Sequence, residues 1–309
     1  MLKPPRLRTG DRVGIAAPAS NIQRDLLEQG CDKIRELGFD PVYDKSILDR
    51  DLFFAGSVER RTQELERLFA RDDVKAIVCA RGGYGTNYLL PNIDVNVVKA
   101  NPKIFIGYSD VTSLLTYFLD RTQVVNFHGP MVTKDIANED GIDLASWKAA
   151  LYGEQSWTIR SDHTPGFLGF HDGKGRGVLY GGCLSMLVAS LGTPYEVETT
   201  NTVLFLEDVA VKPFQVDRML MQLKLANKLA DVKGIVFGEM LDCVQSVNQD
   251  YTLQNVVSRV LEDLDIPIAF GLRSGHVTRE NITLPFGVES ELTVQGPDAE
   301  LAILEPSVS

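Results

Sequence analysis

Lys103-Ile104-Phe105-Ile106-Gly107-Tyr108-Ser109-Asp110-Val111-Thr112 is the stretch that decides how this chain folds. Its apolar run ends at Gly107, and Val111, Leu114, Leu115 and Phe118 then recur at helical spacing. That pattern predicts a buried strand turning sharply into a helix. Ser109 sits at the corner, where a side chain projects away from the sheet and the first N–H groups of the helix lie beside it, free of intrahelical acceptors. The hydroxyl is therefore a candidate nucleophile. A serine in that place is also a common helix cap, and the generic hydrolase pattern G-x-S-x-G is only partly met because Val111 stands at its second glycine.

Working outward, strands and helices alternate. Upstream, Arg12 to Ala17 reads as a strand, and the apolar face Ile22, Leu26, Leu27, Cys31, Ile34 and Leu37 as a helix. Pro41 to Tyr43, a helix carrying Leu65, Leu68 and Phe69, and the strand Ala76 to Cys79 follow. Such alternation predicts a parallel sheet. Downstream, Val124 to Phe127 is a strand leading into His128-Gly129-Pro130, where the histidine is expected to shape a turn or line a cleft.

Between about 134 and 174 the pattern fades into polar clusters, among them Glu139-Asp140, Gly153-Glu154 and His171-Asp172-Gly173, which suit a linker. The expected layout is an N-terminal α/β domain over 1–135, a linker over 136–174 and a C-terminal domain over 175–309. The C-terminal part opens with Gly177 to Tyr180 and continues through the apolar strand Thr202 to Leu206, with strands Gly234 to Gly238 and Ile266 to Phe270 separated by helices. Its tail, Ile282 to Leu284, Glu291 to Val294 and Leu301 to Leu304, lacks helices and predicts an antiparallel edge.

Composition narrows the function. The chain has 309 residues, of which 44% are hydrophobic and 24% charged, enough to bury two ordinary cores. A net charge of −11, with no basic cluster, argues against a nucleic-acid partner. No run is long and apolar enough for a signal peptide or a membrane span, so a cytoplasmic enzyme without a membrane partner is expected. Cys31, Cys79, Cys183 and Cys243 are scattered without C-x-x-C spacing, which reads as buried thiols; no metal or other cofactor is expected.

Three features carry chemistry. Arg81-Gly82-Gly83-Tyr84-Gly85 follows a strand, and its glycines let the backbone approach a ligand and present N–H groups; a flexible turn is the alternative. It fails the G-x-G-x-x-G dinucleotide fingerprint. Glu207 is the first polar residue after an apolar strand, at the carboxyl end where open α/β sheets place ligands. His276 lies in the glycine-flanked loop Gly271-Leu272-Arg273-Ser274-Gly275-His276 beyond another strand. A hydroxyl needs a base to attack at neutral pH, imidazole supplies one, and a carboxylate fixes its tautomer. Each residue also has a purely structural reading: Glu207 as a helix cap or a partner for Arg218, His276 as a loop residue bonded to backbone.

Taken together, Arg81-Gly82-Gly83-Tyr84-Gly85, Gly107-Tyr108-Ser109-Asp110, Phe127-His128-Gly129-Pro130, Gly181-Gly182, Gly192-Thr193-Pro194, Leu206-Glu207-Asp208, and Gly275-His276 with Asn281 and Pro285 resemble the LD-carboxypeptidase family of serine peptidases. That family includes the microcin-immunity hydrolases. The resemblance runs from Thr9-Gly10-Asp11 to about Gly287. It implies a flavodoxin-like N-terminal domain with a parallel sheet, a smaller mixed α/β C-terminal domain, and a homodimer. It also implies a triad of Ser109, Glu207 and His276, an oxyanion hole from the amides of Gly82 or Gly83 and Asp110, and release of terminal D-alanine from murein tetrapeptides during peptidoglycan recycling. Arg81, Tyr84 and Arg273 are candidate substrate-binding residues; either arginine could hold the substrate carboxylate. Tyr88 and Cys183 depart from the family, which often has Arg and Asn there. The competing expectations are an immunity-type hydrolase of peptidyl-nucleotide or acyl-sulfamate amides, a non-catalytic muropeptide-binding protein and, more distantly, a nucleotide-dependent oxidoreductase.

Overall fold

The computed structural model describes residues 1–153, 155–245 and 249–309; Glu154 of the expected linker lies outside them. The chain forms two compact units. The first comprises Met1–Gln155, Arg279–Val288 and Pro306–Ser309, and the second Ser156–Thr278 and Glu289–Glu305.

In the first unit, β1 (Arg12–Ala16), β2 (Asp40–Val42), β3 (Val74–Cys79), β4 (Ile104–Gly107) and β5 (Asn126–His128) pair in parallel in the order 2-1-3-4-5. This is the flavodoxin-like order, with its switch point between β1 and β3, the crevice where such sheets bind ligands. Helices α1 (Arg24–Glu36), α2 (Val58–Ala70), α3 (Val95–Ala100) and α4 (Thr112–Thr122) connect the strands. All four residues of β4 are buried, and Phe105 packs against Phe69 of α2 and Phe118 of α4 with ring centroids 5.8 and 5.3 Å away. Each such side chain contributes about 1.5–3 kcal/mol relative to exposure. The strand that ends at the serine is thereby fixed on both faces.

Two expectations need correction. The stretch 136–174 is not an open linker. It carries α5 (Leu144–Tyr152), which buries Trp147, Ala150 and Leu151 and is capped by the Asp143 carboxylate accepting from Ser146 N at 2.7 Å. It also carries β6 (Trp157–Arg160) and β7 (Leu168–His171). The expected C-terminal strand near 282–284 is β12 (Leu284–Phe286), and it closes the first unit's sheet antiparallel to β5. Its buried Leu284 and Phe286 suit a sheet face, and Pro285, which lacks an N–H, suits an edge. The domains are therefore discontinuous in sequence, in place of the expected division into 1–135 and 175–309.

The second unit holds one eight-stranded mixed sheet. Its parallel centre is β8 (Gly173–Cys183), β9 (Thr202–Glu207), β10 (Gly234–Gly238) and β11 (Ile268–Leu272). Antiparallel strands flank it: β13 (Glu289–Gln295), β14 (Asp298–Ile303) and β6 on one side, β7 on the other. Helices α6 (Leu184–Ser190), α7 (Pro213–Leu225) and α8 (Leu253–Leu261) complete the unit. All six residues of β9 are buried, so the acid at its end is delivered from a rigid support. No helix among the described residues is long and apolar enough to cross a membrane. All four cysteines are buried free thiols.

Candidate active site

Ser109 occupies the corner that the sequence predicts. It opens a short 3-10 turn, Ser109–Val111, that runs into α4. Its φ is +62°, a left-handed conformation that a serine adopts at a cost of order 1–3 kcal/mol. The half-buried side chain lies directly against the glycine loop: a Cβ built on Gly82 would stand 2.9 Å from Ser109 Cβ and 3.2 Å from Oγ. Only glycine permits this approach.

The next residue, Asp110, is buried and ties the corner to the loop. Its Oδ2 accepts from Thr86 N at 2.8 Å, and its main-chain oxygen accepts from Thr86 Oγ1 at 2.6 Å. Burial pushes the Asp110 carboxyl up and the Thr86 bonds oppose that shift. Gly83, with φ +105°, packs on Ser20, whose Oγ accepts from Tyr84 N at 3.1 Å. Gly82 thus abuts Ser109, Asp110 follows it in the chain, and Gly83 lies one residue further along the same loop, all within one unit.

Glu207 and His276 are gathered in the other unit. Glu207 ends β9 almost wholly buried, and its Oε2 stands 2.6 Å from His276 Nδ1 while accepting from His276 N at 3.1 Å. One carboxylate oxygen thus holds both the ring and the backbone of the histidine. With Nδ1 turned to the carboxylate as a donor, Nε2 is left as the basic nitrogen. The neighbouring acid, Asp208, does different work: it caps α6, accepting from Ser185 N at 2.9 Å. Burial raises its carboxyl.

The turn that carries His276 depends on Gly275, at φ +93°, where a Cβ would lie 2.6 Å from the Glu207 carboxyl carbon. Gly275→Ala is expected to push Glu207 away from His276 and to lower kcat by about 100-fold. Steady-state kinetics on the folded variant check this.

The candidate substrate-binding residues separate. Tyr84 and Tyr88 are 45% and 47% exposed, and both rings contact Phe54 beside the glycine loop, forming an aromatic surface that the half-exposed Phe53 extends. Arg81 is exposed and donates to Asn21 O at 3.1 Å. Arg273 is buried at the end of β11. His128 neither shapes a turn nor lines a cleft: it ends β5 fully buried, between the rings of Tyr108 and Phe286.

One participant escapes sequence reasoning. Arg61 of α2 is fully buried, and its Nη1 donates at 2.8 Å to both Pro18 O and Gly85 O. Its neighbour Arg60 pairs with buried Glu64, whose Oε2 accepts from Ala17 N at 2.8 Å. Nothing in the local pattern of Glu59-Arg60-Arg61 and Glu64 marks Arg61 and Glu64 as buried; their partners on the loops after β1 and β3 do.

Comparison with known proteins gives the chain's family. Residues 13–129 match the LD-carboxypeptidase N-terminal domain and residues 176–292 the LD-carboxypeptidase C-terminal domain. A probable murein peptide carboxypeptidase of Bacillus subtilis is 37% identical over 313 aligned residues, covering 99% of this chain and 95% of the relative. The crystal structure of an MccF-like protein from Bacillus anthracis superposes with a TM-score of 0.89 at 26% identity, covering 99% of both chains. A muramoyltetrapeptide carboxypeptidase from Oxalobacter formigenes gives 0.84 at 27% identity, covering 96% of this chain and 99% of that one.

Proposed function

Because the chain belongs to the LD-carboxypeptidase family of serine peptidases, we propose that it releases the terminal D-alanine of murein tetrapeptides through a Ser109-His276-Glu207 triad and an acyl-enzyme. The observation that carries the chemistry is the buried carboxylate of Glu207 at 2.6 Å from His276 Nδ1, a pairing that prepares Nε2 to take a proton. Support for the substrate class comes from the relatives named as murein peptide and muramoyltetrapeptide carboxypeptidases.

In this mechanism His276 Nε2 removes the proton of Ser109 Oγ as the oxygen attacks the carbonyl preceding the D-residue. The tetrahedral oxyanion is met by N–H groups at Gly82 or Gly83 and Asp110. His276 then gives its proton to the departing amine of D-alanine, leaving an ester on Ser109. Water, activated by the same imidazole, hydrolyses the ester and frees the shortened peptide. Arg81 or Arg273 would hold the free carboxylate of the substrate, and Tyr84 would pack against the peptide. A cytoplasmic location, a homodimeric assembly and a role in peptidoglycan recycling belong to the same proposal, on the strength of the family resemblance.

The test is a substrate comparison. Purified enzyme is offered a murein tetrapeptide ending in D-alanine, the same peptide ending in L-alanine, and an aminoacyl sulfamoyl adenosine. The proposal predicts release of D-alanine with kcat/KM at least about 100-fold above either alternative. The likeness to an MccF-like protein favours a second reading, amide hydrolysis of acyl-sulfamate conjugates. Preferential cleavage of the sulfamoyl compound would establish that reading and overturn the first.

A further inference from the structure

We propose that Arg61 is a positioning residue that clamps the glycine loop in the conformation needed to present N–H groups to the oxyanion formed at Ser109. This rests on the catalytic reading above and adds to it a residue that touches neither nucleophile nor substrate.

The loop after β3 places three glycines in four positions, at 82, 83 and 85, two of them at positive φ. Such a segment loses more conformational entropy than any other when it is held in one shape, so its shape must be imposed from outside. Three residues hold the stretch from Gly82 to Thr86. Ser20 N donates to Gly82 O at 3.3 Å while its Oγ accepts from Tyr84 N, and Asp110 holds Thr86 through two hydrogen bonds. Ser20 belongs to the loop after β1 and Asp110 to the 3-10 turn that opens α4.

The third tie is of a different kind. Arg61 extends from the first turn of the thirteen-residue helix α2, and one guanidinium nitrogen bridges Pro18 O in the loop after β1 and Gly85 O in the loop after β3. These two loops flank the switch point of the parallel sheet. The guanidinium is further fixed by the Phe54 ring, 4.8 Å from its central carbon. Arg61 thus connects the glycine loop to the rigid layer of the unit.

A charge buried this way is costly, since no carboxylate lies within ion-pair distance of Arg61 among the described residues and its hydrogen-bond acceptors are neutral carbonyls. An apolar side chain would fill the same space without that cost. What it would lack is the bridge between the two loops. Removing the bridge releases Gly85 O from α2 and loosens the loop that carries Gly82, the glycine that abuts Ser109. A displacement of about 1 Å at such donors costs on the order of 100-fold in rate.

The experiment compares the wild type with Arg61→Ala and Arg61→Lys. Three quantities are read: thermal stability, kcat and KM for D-alanine release, and the rate at which a fluorophosphonate probe modifies Ser109, followed by intact mass. Phosphonylation passes through an oxyanion at the same serine and needs no knowledge of the natural substrate. Arg61→Ala is expected to lower kcat and the phosphonylation rate together by about 100-fold while KM changes by less than about threefold. Arg61→Lys, which keeps the charge without the fork, is expected to fall between them.

A folded Arg61→Ala variant with a lower melting temperature but kcat and phosphonylation within about threefold of wild type overturns the clamp and leaves Arg61 a structural residue. Should Arg61→Ala fail to fold, unchanged rates in Arg61→Lys overturn it equally. A wild type that is phosphonylated at Ser109 but releases no D-alanine overturns the substrate assignment alone, and the phosphonylation ratio still decides the clamp. A wild type that is never phosphonylated at Ser109 overturns the catalytic reading and the clamp with it.

Discussion

Ser109→Ala is expected to lower kcat for D-alanine release by at least about 10⁴-fold, with melting temperature within about 2 °C of wild type. The rate effect follows from removal of the atom that forms the acyl ester in the proposed mechanism. No other group in the proposed mechanism can substitute for Oγ, and the residual rate reflects binding and the oxyanion donors alone. The small stability effect follows from the corner itself. Alanine is as strained as serine at φ +62°, and among the described residues no hydrogen bond of the fold runs through Oγ, whose neighbour is the bare backbone of Gly82. Stopped-assay release of D-alanine together with a thermal melt checks both halves. A variant that unfolds would place Ser109 in the structural framework instead.

Glu207→Gln should produce the second largest loss, about 10³–10⁴-fold in kcat with little change in KM. The substitution preserves shape and burial but removes the charge. In the wild type a single oxygen, Oε2, serves both Nδ1 and the main-chain N of His276. An amide in its place can face the ring with an NH₂ group, which favours the tautomer carrying its proton on Nε2 and so destroys the base. Even with its oxygen facing the ring, a neutral amide does not stabilise the imidazolium that forms when Ser109 attacks. Because the pair is made before substrate arrives, substrate affinity should be nearly unchanged, and separate kcat and KM values from initial rates test this. A raised KM with normal kcat would instead assign Glu207 to substrate binding.

Much of this was legible in the sequence, for definite physical reasons. Strands buried on both faces are written as continuous apolar runs, so β4 and β9 announce themselves, and the polar residues that end them, Ser109 after its corner and Glu207, fall where parallel sheets present side chains to ligands. His276 was legible from its glycine-flanked loop beyond β11. The family motifs then tied the three residues together.

What the sequence hid was of two kinds. Short elements with few buried positions leave no periodic trace: α5 buries three apolar residues in nine, and β12 has only three residues, so 136–174 reads as linker and the strand expected at 282–284 is placed with the wrong sheet. Discontinuous domains cannot be seen in local patterning at all. The second kind is buried charge. Arg61 and Glu64 lie in a helix that also carries the exposed charges of Glu59 and Arg67, and their burial is set by carbonyls and amides of loops distant in sequence, Pro18, Gly85 and Ala17. Burial pushes the Glu64 carboxyl up to about 7 against the opposing pull of Arg60. No residue spacing encodes such contacts.

The central claim, that Ser109 carries the acyl group of a murein tetrapeptide during release of D-alanine, is tested most directly by rapid-quench intact-mass analysis of wild type and Ser109→Ala mixed with that peptide. The account predicts a transient adduct on wild type with the mass of the peptide lacking its terminal D-alanine, mapped by proteolysis to Ser109, alongside free D-alanine, and neither adduct nor turnover in the variant. Turnover by Ser109→Ala at a rate comparable to wild type, or an adduct on any other residue, would contradict it.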